Sequence, residues 1–176
     1  MKVKELFEST AESKIIFAPD DIKNGYFTFD FSNDIMDGAF LCTDEYDLKY
    51  LKGCPKEVTK FFNIHGCINL ESLQNAPDKV GTWIDLRYCN KISSLEGIGK
   101  DYILDAQTLF VGSNVKSHIL GILKIKNLIT VTPQRIPENK ELNMALTIIQ
   151  KHLRSKNFNK CKSELKDAGL EEYAQL

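Results

Sequence analysis

The chain has no long apolar run and no excess of charge of either sign. Nothing in its 176 residues approaches the roughly 18 consecutive apolar residues needed to cross a bilayer. Basic residues number 23 and acidic residues 24, which argues against a general electrostatic grip on nucleic acid. The N-terminal residues mix both charge signs and lack the apolar stretch of a secretion signal. We therefore expect a cytoplasmic protein with neither a membrane nor a nucleic-acid partner.

The cysteines are odd in number and are not arranged in pairs. The five cysteines are scattered, and no Cys-x-x-Cys spacing occurs. Structural zinc needs about four converging ligands, usually from closely spaced pairs, and free buried thiols are the default in a reducing compartment. We expect no disulfide, no metal site and no cofactor. The cysteines are Cys42, Cys54, Cys67, Cys89 and Cys161.

Motifs that carry chemistry are also missing. The sequence contains no phosphate-binding Gly-x-x-x-x-Gly-Lys-Ser/Thr loop, no Gly-x-Ser-x-Gly elbow and no His-Glu-x-x-His zinc motif. His65 and Cys67 lie close enough to suggest a thiol with a base, but a strand followed by a turn sends His65 outward and Cys67 inward. A buried thiol without a polarising neighbour stays protonated. We expect no catalytic residue and no enzymatic activity.

What the sequence does contain is a repeat. At an offset of 22 residues, four columns of mostly apolar residues recur through three successive units. A Pro-containing turn also recurs at 53–58 and 75–80. The columns are Cys42/Ile64/Leu86, Glu45/Cys67/Cys89, Leu48/Leu70/Ile92 and Leu51/Leu73/Leu95.

The spacing within one unit predicts a coil with a strand at its start. In the second unit Phe62 and Ile64 alternate as on a strand, and every third residue afterwards is apolar as far as Leu73. One such coil cannot bury its apolar side alone, whereas stacked copies can, with neighbouring strands in a parallel sheet. The pattern therefore predicts an α/β repeat protein, a short solenoid with a parallel sheet.

The repeat resembles leucine-rich repeats, in particular a short divergent form found in tailed bacteriophages. The resemblance covers roughly residues 25–176, and it departs from better-known members because Glu45, Cys67 and Cys89 replace a regular asparagine ladder. It implies a leucine-rich-repeat-like fold more strongly than an activity. The matching stretches are Leu70-Glu71-Ser72-Leu73, Ala76-Pro77-Asp78-Lys79-Val80 and Ser94-Leu95-Glu96-Gly97.

The ends of a solenoid need covers, and we predict a single domain over 1–176 with a cap at each end. Residues 1–38 are predicted to form an N-terminal cap and a degenerate first coil, with a short helix over 2–8 and a strand over 25–31 that points Phe27, Phe29 and Phe31 inward. The coils proper are expected over 39–131, with later strands at 108–111 and 123–125. Pro133 and Pro137 mark a break, and 132–176 is predicted to be a helical C-terminal cap with helices over 139–154 and 157–168.

The outward residues of the parallel strands are the expected binding surface. They mix polar, aromatic and charged side chains, which suits a specific protein partner. Trp83 and Tyr88 flank the third strand as exposed anchors or, alternatively, pack between coils; Trp83 aligns with Phe61. The predicted partner-binding residues are Leu41, Thr43, Asn63, His65, Asp85, Arg87 and Phe110.

The function expected from this face is non-enzymatic protein binding. By the resemblance, this implies a phage accessory protein that acts on a host or phage protein in the host cytoplasm. One alternative is a structural or self-associating phage protein, and the oligomeric state is left open. Another is a ligand-binding protein or enzyme with its site in the irregular segment 98–118. A deep polar pocket in that segment is the observation that would favour this alternative.

Overall fold

The chain is a parallel-strand solenoid of about four turns accompanied by a few helices. The structure is a computed structural model, and it describes residues 13–16, 21–98, 105–134 and 139–176. The strands among these residues are β1 (Ser13–Ile16), β2 (Ile22–Lys23), β3 (Tyr26–Phe27), β4 (Ile35–Met36), β5 (Gly38–Leu41), β6 (Glu57–Val58), β7 (Phe62–Asn63), β8 (Lys79–Val80), β9 (Trp83–Asp85), β10 (Thr108–Val111) and β11 (Thr130–Pro133).

Two ladders of parallel strands run along the solenoid. The main sheet has the order β1-β5-β7-β9-β10-β11, and every neighbouring pair in it is parallel. A second parallel ladder, β4-β6-β8, is continued by single bridges through Asp105 to Lys126. Each coil thus contributes a short strand to the second ladder, turns a corner, and then contributes a strand to the main sheet. Strands β2 and β3 form a separate antiparallel pair.

The spacing between paired residues matches the repeat seen in the sequence. Phe40 pairs with Phe62 and Phe62 with Ile84, each 22 positions on. The next step, from Ile84 to Leu109, is 25 positions, and the last, from Leu109 to Val131, returns to 22. The predicted strand at 108–111 is confirmed, and so is the parallel sheet.

The core lies between the two ladders and is built from stacked columns. Phe40, Phe62 and Ile84 are fully buried, and the rings of Phe40 and Phe62 stack with their centroids 4.8 Å apart. All four columns predicted from the repeat belong to this one core cluster, with the exception of Glu45. Each leucine of the column Leu51/Leu73/Leu95 is at most 2% exposed. Such burial of large apolar side chains is the dominant favourable contribution to folding.

Two cysteine thiols join neighbouring coils inside the core. Sγ of Cys67 donates to the backbone carbonyl of Cys42 at 3.0 Å, and Sγ of Cys89 donates to the carbonyl of Ile64 at 3.1 Å. Each thiol therefore supplies a hydrogen-bond donor to a buried backbone carbonyl of the preceding coil. That carbonyl has no access to water. All five cysteines are free and buried, as the sequence predicts.

Left-handed residues recur at the corners of the coils. Asp44, Gly66 and Tyr88 have φ values of 59°, 75° and 60°, and they are spaced 22 residues apart. A second left-handed column consists of Gly53, Asn75 and Gly97. Glycine, asparagine and aspartate tolerate this conformation best, so Tyr88 is the exception in the set.

The C-terminal part of the chain is helical and packs against the last coils. Helix α1 spans Lys140–His152 and α2 spans Phe158–Asp167, so both predicted helices are confirmed. Gly169 ends α2 in a left-handed conformation, with its N–H donating to Lys166 and that of Leu170 donating to Leu165. Two shorter 3-10 helices span Ile119–Lys124 and Glu171–Ala174.

Helix α1 is tied to the edge of the main sheet by one glutamine. Gln150 Oε1 accepts from the backbone N–H of Val131 at 2.8 Å, and its Nε2 donates to the carbonyl of Ile129 at 2.9 Å. The side chain therefore completes hydrogen bonds that an edge strand otherwise leaves open.

Among the described residues, no helix is long and apolar enough to span a membrane.

Two details at the ends of the solenoid differ from the predictions. The strand expected at 123–125 is wrong: Leu123 and Lys124 end a buried 3-10 helix, and the last strand is β11. Pro133 ends that strand without disturbing it, since it lies at the sheet edge, where proline is tolerated.

The first coil also differs. Only Tyr26 and Phe27 of the expected strand over 25–31 are extended, and β1 is the strand that joins the main sheet. The rings of Phe27, Phe29 and Phe31 nevertheless stack in series against the core. The helix predicted over 2–8 lies outside the described residues.

Candidate functional site

The predicted partner-binding residues form two rows across the main sheet. Leu41, Asn63, Asp85 and Phe110 are aligned by the strand register, in that order. Thr43, His65 and Arg87 form the next row, where the strands end. Thr43 is exposed, and Asp85 is only 2% exposed; the others are half-buried. The structure therefore brings these residues together on one face but covers Asp85.

Arg87 is the side chain that covers Asp85. Its Nε donates to both carboxylate oxygens, at 2.9 and 3.1 Å, and its Nη2 donates to Oδ2. The backbone N–H of Arg87 also donates to Oδ1 at 3.0 Å. The hydrogen bond to Asp85 raises the pKa of Arg87 above its ordinary value. A bidentate pair of this kind holds the guanidinium in one orientation.

An aromatic row lies beside this pair; it consists of Phe61, which directly precedes β7, Trp83 of β9 and Phe110 of β10. The rings of Phe61 and Trp83 are nearly parallel, 4° apart, with centroids separated by 4.2 Å. Phe110 meets Trp83 edge-on at 6.1 Å, and the guanidinium of Arg87 lies 4.7 Å from the centre of the Phe110 ring. Arg87 therefore adds a cation–π contact to one end of the row.

The aromatic row answers the question that the sequence left open about Trp83. All three rings are half-buried, so they pack between coils and still present an edge to solvent. The predicted equivalence of Phe61 and Trp83 is confirmed by their stacking. Phe61 was not among the predicted binding residues, although its recurrence as Trp83 was visible at the 22-residue offset.

Tyr88 and His65 lie at the margin of the same face. Their rings meet edge-on, with centroids 4.8 Å apart, and Tyr88 is 45% exposed. Nδ1 of His65 is 3.9 Å from a carboxylate oxygen of Asp44. Of the two possibilities raised by the sequence, Tyr88 is therefore exposed, and the backbone that carries it is left-handed.

A polar pocket of about 440 Å³ opens beyond Tyr88, at the carboxyl ends of the later strands. Three of its lining residues belong to the irregular segment 98–118, where a deep polar pocket is the observation expected to favour ligand binding; this pocket is open to solvent and not deep. None of the pocket residues except Tyr88 was singled out from the sequence. The lining residues are Tyr88, Asn90, Ser113, Asn114, Lys116, Gln134 and Asn139.

The reactive side chains singled out from the sequence lie in different surroundings in the part of the chain that the structure describes. No cluster of three or more His, Cys, Asp or Glu there could hold a metal ion. His65 is half-exposed whereas Cys67 is fully buried, so the two point to opposite sides of the coil as predicted. His118 contacts the hydroxyls of Ser94 and Ser117, at 3.0 and 3.1 Å.

The thiols are expected to be inert in the folded protein. Burial raises the pKa of Cys54 and Cys89, and it raises the pKa of Cys161 to about 11. A hydrogen bond with Cys67, together with burial, raises the pKa of Cys42. Since the thiolate is the reactive form and all five side chains are buried, a thiol reagent at about pH 8 should modify none of the native cysteines. In denaturant the same reagent should modify all five cysteines. Rapid modification of the native protein contradicts the expected inertness of the thiols.

Comparisons with known proteins add no relative. No family model matches the chain, and no curated protein or solved structure matches it either. The features that bear on function are therefore the outward face of the main sheet and the polar pocket.

Proposed function

We propose that this protein binds another protein through the outward face of its main sheet. The observation that carries the proposal is the aromatic row of Phe61, Trp83 and Phe110, closed at one end by Arg87. Interface hot spots are enriched in tryptophan, tyrosine and arginine, held in fixed positions on a rigid scaffold. Here the rings are held by stacking and Arg87 by the buried carboxylate of Asp85, so little side-chain freedom is lost on binding.

The chemistry of the face defines the partner. The aromatic row offers apolar edges for an aliphatic or aromatic side chain of the partner. Arg87 uses Nε and Nη2 to bind Asp85, which leaves Nη1 without a hydrogen bond to the described residues. A carboxylate or carbonyl of the partner can accept from that nitrogen. A phosphate backbone is a poorer fit, because the charge of Arg87 is already paired and the net charge of the chain is −1.

The proposal extends to the class of the protein. We infer a leucine-rich-repeat-like phage accessory protein that acts without catalysis in the host cytoplasm on a host or phage protein. A coil of 22 residues falls within the range of 20–29 for such repeats. In this proposal the C-terminal helices cap the last coil, as the contacts of Gln150 with β11 favour.

A binding measurement with a matched control tests the proposal. The partner is captured from the native source, identified by mass spectrometry, purified, and titrated against the protein by calorimetry. Trp83→Ala should weaken its binding by about tenfold or more, since the variant opens the centre of the aromatic row. Ile35→Ala, which removes an apolar side chain that is 61% exposed on the second ladder, should leave the affinity unchanged.

Two outcomes overturn this function. If Trp83→Ala and the unaltered protein bind the purified partner equally while both are folded by circular dichroism, the aromatic row is not the interface. If the unaltered protein is a stable oligomer by analytical ultracentrifugation and Trp83→Ala converts it to a monomer, the face serves self-association instead. A monomer that keeps the tryptophan-dependent affinity supports the proposal.

A further inference from the structure

The polar pocket is built by four separate parts of the chain. Tyr88 and Asn90 come from the turn after β9; Ser113, Asn114 and Lys116 come from the turn after β10. Gln134 follows β11, and Asn139 is the N-cap of α1. Ligand sites occur preferentially where several elements converge, and a volume of about 440 Å³ lies at the small end of their range.

The amide oxygens of Asn139 and Asn114, two of the pocket residues, are already engaged. Asn139 Oδ1 accepts from the N–H of Leu142 at 2.9 Å, and Asn139 Nδ2 donates to the carbonyl of Ser113 at 2.7 Å. Asn114 donates to the carbonyl of Asn90 at 2.8 Å and accepts from the hydroxyl of Ser113 at 3.4 Å. Both asparagines therefore hold the walls of the pocket in place.

Within the described part of the chain, Gln134 leaves a buried donor without a partner. Its Oε1 accepts from the backbone N–H of Tyr88 at 2.8 Å, across 46 residues of sequence. Its Nε2 is buried and has no acceptor among the described residues, and the residue as a whole is only 3% exposed. Leaving a buried donor unsatisfied is costly, and such a group calls for an explanation.

One cation lines the pocket. Lys116 is exposed and forms no ion pair with any described residue, and no carboxylate lines the pocket. Asn139 places the N-terminus of the 13-residue helix α1 at the same wall, which favours negative charge, and Glu141 in the first turn of that helix offsets part of this effect. The free donors and the local potential therefore both point to an acceptor-rich anion.

Tyr88 supplies an apolar wall at a conformational cost. It holds a left-handed backbone at the position where the preceding coil has Gly66. A non-glycine residue there is strained, and strained residues concentrate at functional sites. The exposed ring is available to cover the body of a small ligand.

We propose that the polar pocket binds a small organic carboxylate, with Lys116 and Gln134 donating to its oxygens and the ring of Tyr88 covering its carbon skeleton. One ammonium and one amide match the single charge and two oxygens of a carboxylate; a phosphate dianion calls for more positive charge. This site is separate from the aromatic row and does not depend on the proposed protein binding.

Nuclear magnetic resonance tests the proposal directly. The isotope-labelled full chain is titrated with benzoate, glucuronate, glucose and inorganic phosphate, and the side-chain NH₂ of Gln134 and the backbone amide of Tyr88 are followed. Benzoate or glucuronate should shift both signals in a saturable manner. Lys116→Gln should weaken this binding by about tenfold, because a charged hydrogen bond is lost. Lys162→Gln, which removes an exposed lysine from α2, should not change it.

The contrary results are equally specific. Saturable shifts with glucose as strong as those with the acids, or tighter binding of phosphate, overturn the carboxylate assignment. The absence of shifts at Gln134 and Tyr88 with both acids at large molar excess overturns the site itself.

Tyr88→Gly tests the role of the ring. This variant relieves the backbone strain, so it should stay folded, and its affinity for the carboxylate should fall by about threefold to tenfold because the ring is missing. Unchanged affinity in that folded variant removes Tyr88 from the site.

Discussion

Replacing Phe62 by alanine is expected to lower the free energy of unfolding by about 3–5 kcal/mol. The side chain is fully buried in the middle of the solenoid, its ring stacks on Phe40, and its strand β7 pairs with β5 on one side and β9 on the other. Removing the ring leaves a cavity that touches three coils at once. The loss is a large share of the total stability of an ordinary domain.

Phe61→Ala is the matched control for Phe62→Ala, because the two residues are adjacent and of identical chemistry. Phe61 is half-buried on the outward face, so its loss should cost about 1 kcal/mol, largely from the stacking with Trp83. Urea denaturation followed by circular dichroism measures both variants. Equal destabilisation of the two contradicts the assignment of inward and outward sides, and with it the orientation of the binding face.

Gly81→Ala is expected to destabilise the protein by about 3 kcal/mol for a steric reason. Gly81 lies in the corner between β8 and β9, where a Cβ atom would overlap the carbonyl oxygen of Thr59 in the preceding coil and come within 2.7 Å of its carbonyl carbon. The backbone has to move, and the hydrogen bonds from Gly81 to Val58 and from Thr82 to Lys60 are at risk.

Gly169→Ala separates this steric effect from glycine's conformational freedom. Gly169 has a φ of 72° and nothing within 4 Å of an added Cβ, so only backbone strain of about 1–2 kcal/mol is expected. Thermal unfolding should therefore rank the two variants, with Gly81→Ala melting at the lower temperature. The reverse order of melting temperatures contradicts the close approach of Gly81 to Thr59 of the preceding coil.

The repeat made much of the fold predictable. A strand pair such as Phe62 and Ile64, followed by apolar residues at every third position, leaves few ways to bury the apolar side except stacking at the same interval. The ends were less predictable. The buried residues of the 3-10 helix at Ile119–Lys124 follow a spacing that also suits a coil ending in a strand. Strand β1 has no alternating pattern that distinguishes it, and it is defined by pairing with β5.

The candidate site was predictable only where it follows from local alternation. Outward positions such as Asn63 and His65 follow from the strand period. The burial of Asp85 does not, because it results from the side chain of Arg87 folding back over the carboxylate. The polar pocket depends on the hydrogen bond between Gln134 and Tyr88, and no local pattern in the sequence relates those two residues.

The change in coil length described for the fold has an evolutionary consequence. The step from Ile84 to Leu109 is three residues longer than its neighbours, yet Leu109 still pairs with Val131 at the usual interval of 22. Insertions and deletions can therefore accumulate in the connections without altering which side chains meet across the sheet. Sequences that diverge from this chain can therefore vary in their turns while they keep the pairing of the main sheet.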